Sequence, residues 1–74
     1  MKTYIIAISF ADNTEYWNSS LVNDENTTQH IDSAEGLETL ELAELTLNKY
    51  VKPYAKKKGW KVSFLIEEYN FTEE

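Results

Sequence analysis

Residues Asp32 to Gly59 read as helix, and that reading limits what else a chain of 74 residues can be. Asp32, Glu35, Glu38, Glu41 and Glu44 fall at every third position, with Ala34, Leu37, Leu40 and Ala43 two residues behind the first four. The second half reverses the charge, carrying Lys49, Lys52, Lys56, Lys57 and Lys58 and no acid. Thr39 is the expected N-cap: its hydroxyl can accept from free N–H groups of the first turn, where Glu41 and Glu44 also suit the positive end of the helix dipole. Gly36 argues against carrying the helix back to Asp32. Asp32-Ser33-Ala34-Glu35 has the form of a capping box and would make an isolated turn. At about 100° per residue, Leu40, Ala43, Leu47, Tyr50, Val51 and Tyr54 form one apolar stripe, and Leu42 and Leu45 lie on the far side. Pro53 removes a backbone donor, so a kink or a break with restart is expected there. Lys56 to Lys58 then precede Gly59, where cations and a left-handed cap belong.

The flanking segments have period two. Tyr4, Ile6, Ile8 and Phe10 alternate with Ile5, Ala7 and Ser9, and this is a strand. Ala11-Asp12-Asn13-Thr14 supplies hairpin residues, and a second strand follows from Glu15 to about Val22, weakened by Asn18, Ser19 and Ser20 and therefore expected at an edge. Asn23 to Gln29 is polar loop, and Thr28 to Asp32 is a candidate short edge strand. From Trp60 to Tyr69 the alternation resumes, with Val62, Phe64 and Ile66 on one face and Ser63, Leu65, Glu67 and Tyr69 on the other. Asn70 to Glu74 reads as a loose tail. The expected fold is α+β, a single domain over residues 1–74. It has two layers: a small antiparallel sheet of three strands, or four with Thr28 to Asp32, and one long helix on one face, in the order ββαβ. The first strand, the most apolar, belongs in the middle; in a four-stranded sheet the last strand could run parallel to it.

Composition closes several routes. A chain this short buries a small share of its surface, so the five Tyr, three Phe and two Trp must supply much of the core. There is no Cys and a single His, which removes disulfides and leaves little for a zinc site. No apolar run has the length of a membrane span, and a cytoplasmic location is expected. The net charge is −6 and there is no Arg. Binding to nucleic acid depends largely on neutralising phosphates, so direct contact with DNA or RNA is disfavoured.

The candidate functional residues follow from the charge map. Every charged residue from Asp12 to Glu44 is an acid. One reading makes Asp32, Glu35, Glu38, Glu41 and Glu44 a rail of carboxylates that occupies a partner's phosphate-binding groove, with Asp12, Glu15, Asp24 and Glu25 adding to the same surface. The other makes them a solvated helix start that satisfies the dipole and keeps the chain soluble. A second candidate surface is apolar. Leu42 and Leu45 lie on the helix back, and Ile5, Ala7, Leu65 and Tyr69, with Trp17, lie on the sheet face away from the helix. Either patch could serve a homodimer unless the loop and tail fold over it. Lys56 to Lys58 beside Tyr54 and Trp60 have the look of a nucleic-acid patch, but helix capping accounts for them. His30 reads as a loop residue, and the Asn-x-Ser/Thr sequences at Asn18, Asn26 and Asn70 as chance. No nucleophile beside a base, phosphate loop or metal-ligand spacing is present, so neither an enzyme nor a cofactor is expected; a pocket with convergent polar groups would argue otherwise.

Tyr4-Ile5-Ile6-Ala7-Ile8, the hairpin with Tyr16-Trp17, and Ala34-x-x-Leu37-x-Thr39-Leu40-Glu41-x-Ala43-Glu44 before a terminal strand make the chain resemble small acidic proteins of bacteriophages and prophages. Anti-CRISPR and anti-restriction inhibitors are similar to it in size and acidity. The resemblance implies a non-enzymatic protein-binding module, an inhibitor whose acidic surface fills a basic nucleic-acid-binding groove of a host defence protein. The alternative is an assembly module acting as a homodimer through an apolar sheet or helix face. The resemblance is one of type and assigns no residue a role.

Overall fold

The computed structural model describes residues 2–19 and 26–70. Strands β1 (Thr3–Ser9), β2 (Thr14–Trp17), β3 (Thr27–Thr28) and β4 (Ser63–Tyr69) form one antiparallel sheet in the order β3-β2-β1-β4. The α+β layout of strands, one long helix and a last strand is as expected, with β1 in the middle. Strand β3 is only Thr27–Thr28, and Ile31–Ser33 is an isolated 3-10 turn. Strand β2 is covered by β3 and is not an edge; the expected continuation to Val22 lies outside the described residues, as does the tail beyond Asn70.

The last strand runs antiparallel to the first, not parallel, from Thr3 opposite Tyr69 to Ser9 opposite Ser63. The helix decides this. Just before it, Leu37 exchanges two backbone hydrogen bonds of 2.8 Å with Tyr4, at the start of β1. Just after it, the Trp60 ring lies 5.0 Å from Phe10, at the end of β1. A helix that travels the length of β1 in the same sense leaves the next strand to return the opposite way.

The helix is continuous over residues 40–58: α1 (Leu40–Thr46), a π turn (Leu47–Val51) and α2 (Lys52–Lys58). Thr39 caps it as expected, its Oγ1 accepting from the Leu42 N–H at 3.0 Å. The expected kink or break at Pro53 is replaced by the widened turn just upstream, where the Lys52 N–H bonds the Leu47 carbonyl five residues back. A proline ring collides with the carbonyl four residues before it, and a π turn moves that carbonyl aside while the helix goes on.

The wide turn also shifts the buried stripe. Buried positions run Ala43, Thr46, Val51 and Ala55, with a step of five across the π turn. Leu40 and Tyr50, expected on the stripe, are exposed at 48% and 53%. Together with Ile6, Ile8, Trp17 and Leu37, Ala43 and Val51 make the core between helix and sheet. A chain of edge-on rings closes one flank: Trp17 lies 5.3 Å from Tyr54, and Tyr54 lies 5.6 Å from Trp60.

Gly59 ends the helix with φ 74°, donating to the Lys56 carbonyl while the Trp60 N–H reaches the Ala55 carbonyl. This is a Schellman cap, and the Tyr54–Trp60 contact is its apolar accompaniment. A Cβ at Gly59 would meet nothing within 4 Å, so Gly59→Ala carries only the left-handed backbone cost, about 1 kcal/mol. Urea denaturation is expected to show that loss with an unchanged m-value.

Candidate protein-binding surface

The five regularly spaced acids divide into two groups. Asp32 and Glu35 precede the helix on the turn and the extended chain after it, and both are used to hold the fold. The Tyr69 hydroxyl donates to Asp32 Oδ1 at 2.5 Å. Glu35 Oε1 accepts from the Ser19 N–H at 2.9 Å and from Ser19 Oγ at 2.8 Å. The expectation of one rail of five therefore does not hold, because residues 34–38 are not helical and the two earlier carboxylates are bonded elsewhere.

Glu38, Glu41 and Glu44 are different. All three are exposed, and none makes an ion pair among the described residues. Glu38 directly precedes the Thr39 cap, while Glu41 and Glu44 stand on α1. Among them lie Leu42 at 40% exposure and Leu45 at 55%. Glu38, Thr39, Glu41, Leu42 and Leu45 line a shallow groove of ≈ 550 Å³. Leu40, at 48% exposure, is not part of this groove; it stands three residues before the buried Ala43, and its place on the first turn leaves it uncovered.

The proposed apolar sheet face is mostly closed. Asn18 and Tyr69 continue the alternation of Tyr16 and Leu65 on the side away from the helix. Asn18 Nδ2 donates to the Ser33 carbonyl at 2.7 Å, and Tyr69 to Asp32. These bonds strap the turn Ile31–Ser33 across that face, and Ile5 beneath it is fully buried. Ala7, flanked by Leu65 and Tyr16 on the neighbouring strands, is 1% exposed. Trp17 is not on this face at all but in the core, against Tyr54. Leu65, at 57%, is the large apolar side chain that stays exposed there, so Ile5 and Tyr69 do not join it in an open patch.

The strap gives Tyr69 a pH signature. Its hydrogen bond to Asp32, with help from desolvation and the carboxylate charge, raises the phenol above its ordinary value of 10.0. The folded state thus disfavours the phenolate, so the stabilisation is complete below pH 10.0 and is lost as pH rises through the raised folded value. Urea midpoints for the native chain and for Tyr69→Phe are expected to differ at neutral pH and to converge on the alkaline side. A constant difference up to the highest pH would remove the assignment.

One polar group was not anticipated from the sequence. The indole Nε1–H of Trp17 is buried and has no hydrogen-bond partner among the described residues, and Trp17 lines a pocket of ≈ 150 Å³ with Ser19, Glu35, Thr46 and Tyr50. These residues come from three separate stretches of chain, and no local pattern brings them together. Among the described residues no group of three or more His, Asp or Glu is placed to hold a metal ion. His30 is an exposed loop residue whose backbone N–H bonds Thr28 Oγ1.

The lysines complete the map. Lys56, Lys57 and Lys58 are exposed in the last helical turn, with Lys58 Nζ 5.5 Å from the centre of the Tyr54 ring and Lys49 Nζ 5.6 Å from that of Tyr50. The helix is therefore acidic at its N-terminal end and basic at its C-terminal end. No described helix is long and apolar enough to cross a membrane. Comparison with models of known families, with curated proteins and with solved structures yields no match.

Proposed function

We propose that this chain is a non-enzymatic, cytoplasmic protein-binding module, an inhibitor of the phage anti-defence type. Its helix face presents Glu38, Glu41 and Glu44 to a basic nucleic-acid-binding groove of a host protein. The observation that carries this reading is that these three carboxylates are exposed and unpaired among the described residues while their two upstream counterparts are bonded within the fold. Glu41 and Glu44, three residues apart on α1, are separated by a rise of about 4.5 Å, against about 3.4 Å per charge along one DNA strand. Leu42 and Leu45 beside them supply apolar contact that charge alone lacks, and a mixed surface of this kind can bind tightly over a small area.

Capture of host proteins on the immobilised chain tests the reading. The captured protein is expected to be released by heparin, which competes as a polyanion, and by about 1 M salt, where the screening length falls to about 3 Å. A protein held unchanged through both treatments would contradict it.

A further inference from the structure

Strand β4 is an outer strand of the sheet, with β1 on one side and no described strand on the other. We propose that a second copy of this chain adds its own β4 there, antiparallel across a two-fold axis at Leu65, so that two four-stranded sheets become one. The pairing uses the sheet edge and not the acids assigned to the host partner, so neither reading rests on the other.

The backbone of β1 shows which groups of β4 are open. Tyr4 exchanges both its N–H and its C=O with Leu37, so its polar groups point away from β4. By alternation along an antiparallel strand those of Ile6 and Ile8 do the same. Their partners in the register are Glu68, Ile66 and Phe64, which therefore turn their own N–H and C=O groups to the open side. A row of such groups is a template for another strand. Devices that commonly blunt an edge are missing here, since Ser63–Tyr69 has no proline, no lysine and an unbroken register with β1.

The side chains select a second copy of the chain and fix its register. Residues that face each other across the axis must lie on the same face of the sheet, so the axis falls on a residue and not between two. At Leu65 it sets Leu65 against Leu65 of the partner subunit, and Phe64 against Ile66 of the partner subunit. Phe64 and Ile66 then exchange backbone hydrogen bonds with the second copy, and Val62 with Glu68 of the partner subunit continues the ladder. Lys61, just before the strand, comes diagonally to Glu67 of the partner subunit, within reach of a charge pair. The Glu68 carboxylate is already held by Lys2 at 3.0 Å. An axis at Ile66 would place Leu65 against Glu67 of the partner subunit and Phe64 against Glu68 of the partner subunit, and an axis at Glu67 would place acid on acid. Apolar matching and charge agree on one register.

The same axis accounts for two exposed leucines. Leu65 is the large apolar side chain left open on the face away from the helix. On the helix side, Thr46 shares a pocket with Trp17 of β2. At about 100° per residue Leu40 lies on the opposite flank of Ala43, toward β4, and all three helix positions precede the wide turn. Leu40 also follows Leu37, which bridges Tyr4 at the end of the sheet where Glu68 lies. There the second copy brings in Val62 of the partner subunit, extending the apolar floor beside Leu40.

The test begins with the native chain. A strand edge of this length buries less than the about 1,600 Å² of a standard interface, so sedimentation is expected to show a dimer with a dissociation constant on the order of 0.1 mM. Backbone and apolar contacts are little screened, so the dimer should persist in about 1 M salt, where the host protein is released. Amide exchange at Phe64 and Ile66 should slow several-fold as the dimer fills. Leu65→Glu adds an acid on each side of the axis beside Glu67, and this variant is expected to stay monomeric up to about 1 mM with its circular dichroism unchanged. Two single-cysteine variants read the register in a chain that has no Cys of its own. Leu65→Cys places the two Cα atoms about 4.5 Å apart, within disulfide range, whereas Glu67→Cys places them about 13 Å apart. Mild oxidation is expected to link the first at least about tenfold faster than the second. A native chain monomeric at about 1 mM would overturn the proposal and leave the edge to a strand of another protein. A dimer that survives Leu65→Glu, or equal cross-linking of the two cysteine variants, would overturn it as well. The cysteine pair and the native amide exchange decide the matter if Leu65→Glu fails to fold.

Discussion

Ile8→Ala is expected to cost about 3 kcal/mol, because Ile8 is fully buried in the layer between helix and sheet and deleting such a side chain removes its transfer free energy and leaves a cavity. For a domain of 74 residues, total stability at ordinary values is about 4–11 kcal/mol, so this one change takes a large fraction. The expected fall in melting temperature is on the order of 10–20 °C. Leu45→Ala is the matched control. Leu45 is 55% exposed on the outer helix face, and an exposed position of this kind moves stability by no more than about 0.5 kcal/mol. Thermal melts of the two variants check both statements. Comparable losses at Ile8 and Leu45 would mean that the helix packs its other face inward, which would undo the surface assigned to it.

Replacing Glu38, Glu41 and Glu44 by Gln is expected to leave the fold in place and to weaken host-partner binding about tenfold to a hundredfold, at about 0.5–1 kcal/mol for each charge at the rim of an interface. Gln keeps the length and helix propensity of Glu, so the change acts on charge. Most of the loss should appear in the association rate, since exposed charges steer encounter more than they hold the complex. Asp32 and Glu35 behave differently under the same substitution. Asp32→Asn is expected to loosen the strap to Tyr69, and Glu35→Gln to weaken the bonds from Ser19, so their effects should fall on stability and not on partner binding.

The contrast between those two groups of acids shows where sequence reading stops. The strands Thr3–Ser9 and Ser63–Tyr69 are written in period-two alternation, and the helix boundaries in Thr39 and Gly59; each is a local signal and each is present, although the last strand begins at Ser63 and not at Trp60, which is taken up by the helix cap. The division of the acids depends on contacts between distant positions: Asp32 with Tyr69, Glu35 with Ser19, Asn18 with Ser33. No periodicity encodes such pairings, so Ile5 looked free and is covered, and Asp32 looked free and is bonded. The π turn is an intermediate case. Pro53 announced a disturbance, but whether it is met by a kink, a break or a widened turn depends on packing. The widened turn lets Ala43 and Thr46 before it and Val51 and Ala55 after it all face the sheet. That choice is also what turns Tyr50 outward and leaves Thr46 in the core.

Glu38, Glu41 and Glu44 are the proposed partner site. The most direct measurement is the affinity of the captured host protein for the native chain and for the triple Gln variant across a series of salt concentrations. A steep fall with salt is expected for the native chain, a shallow one for the variant, and convergence of the two at about 1 M, where screening removes the difference. Equal affinities with equal salt dependence would contradict it.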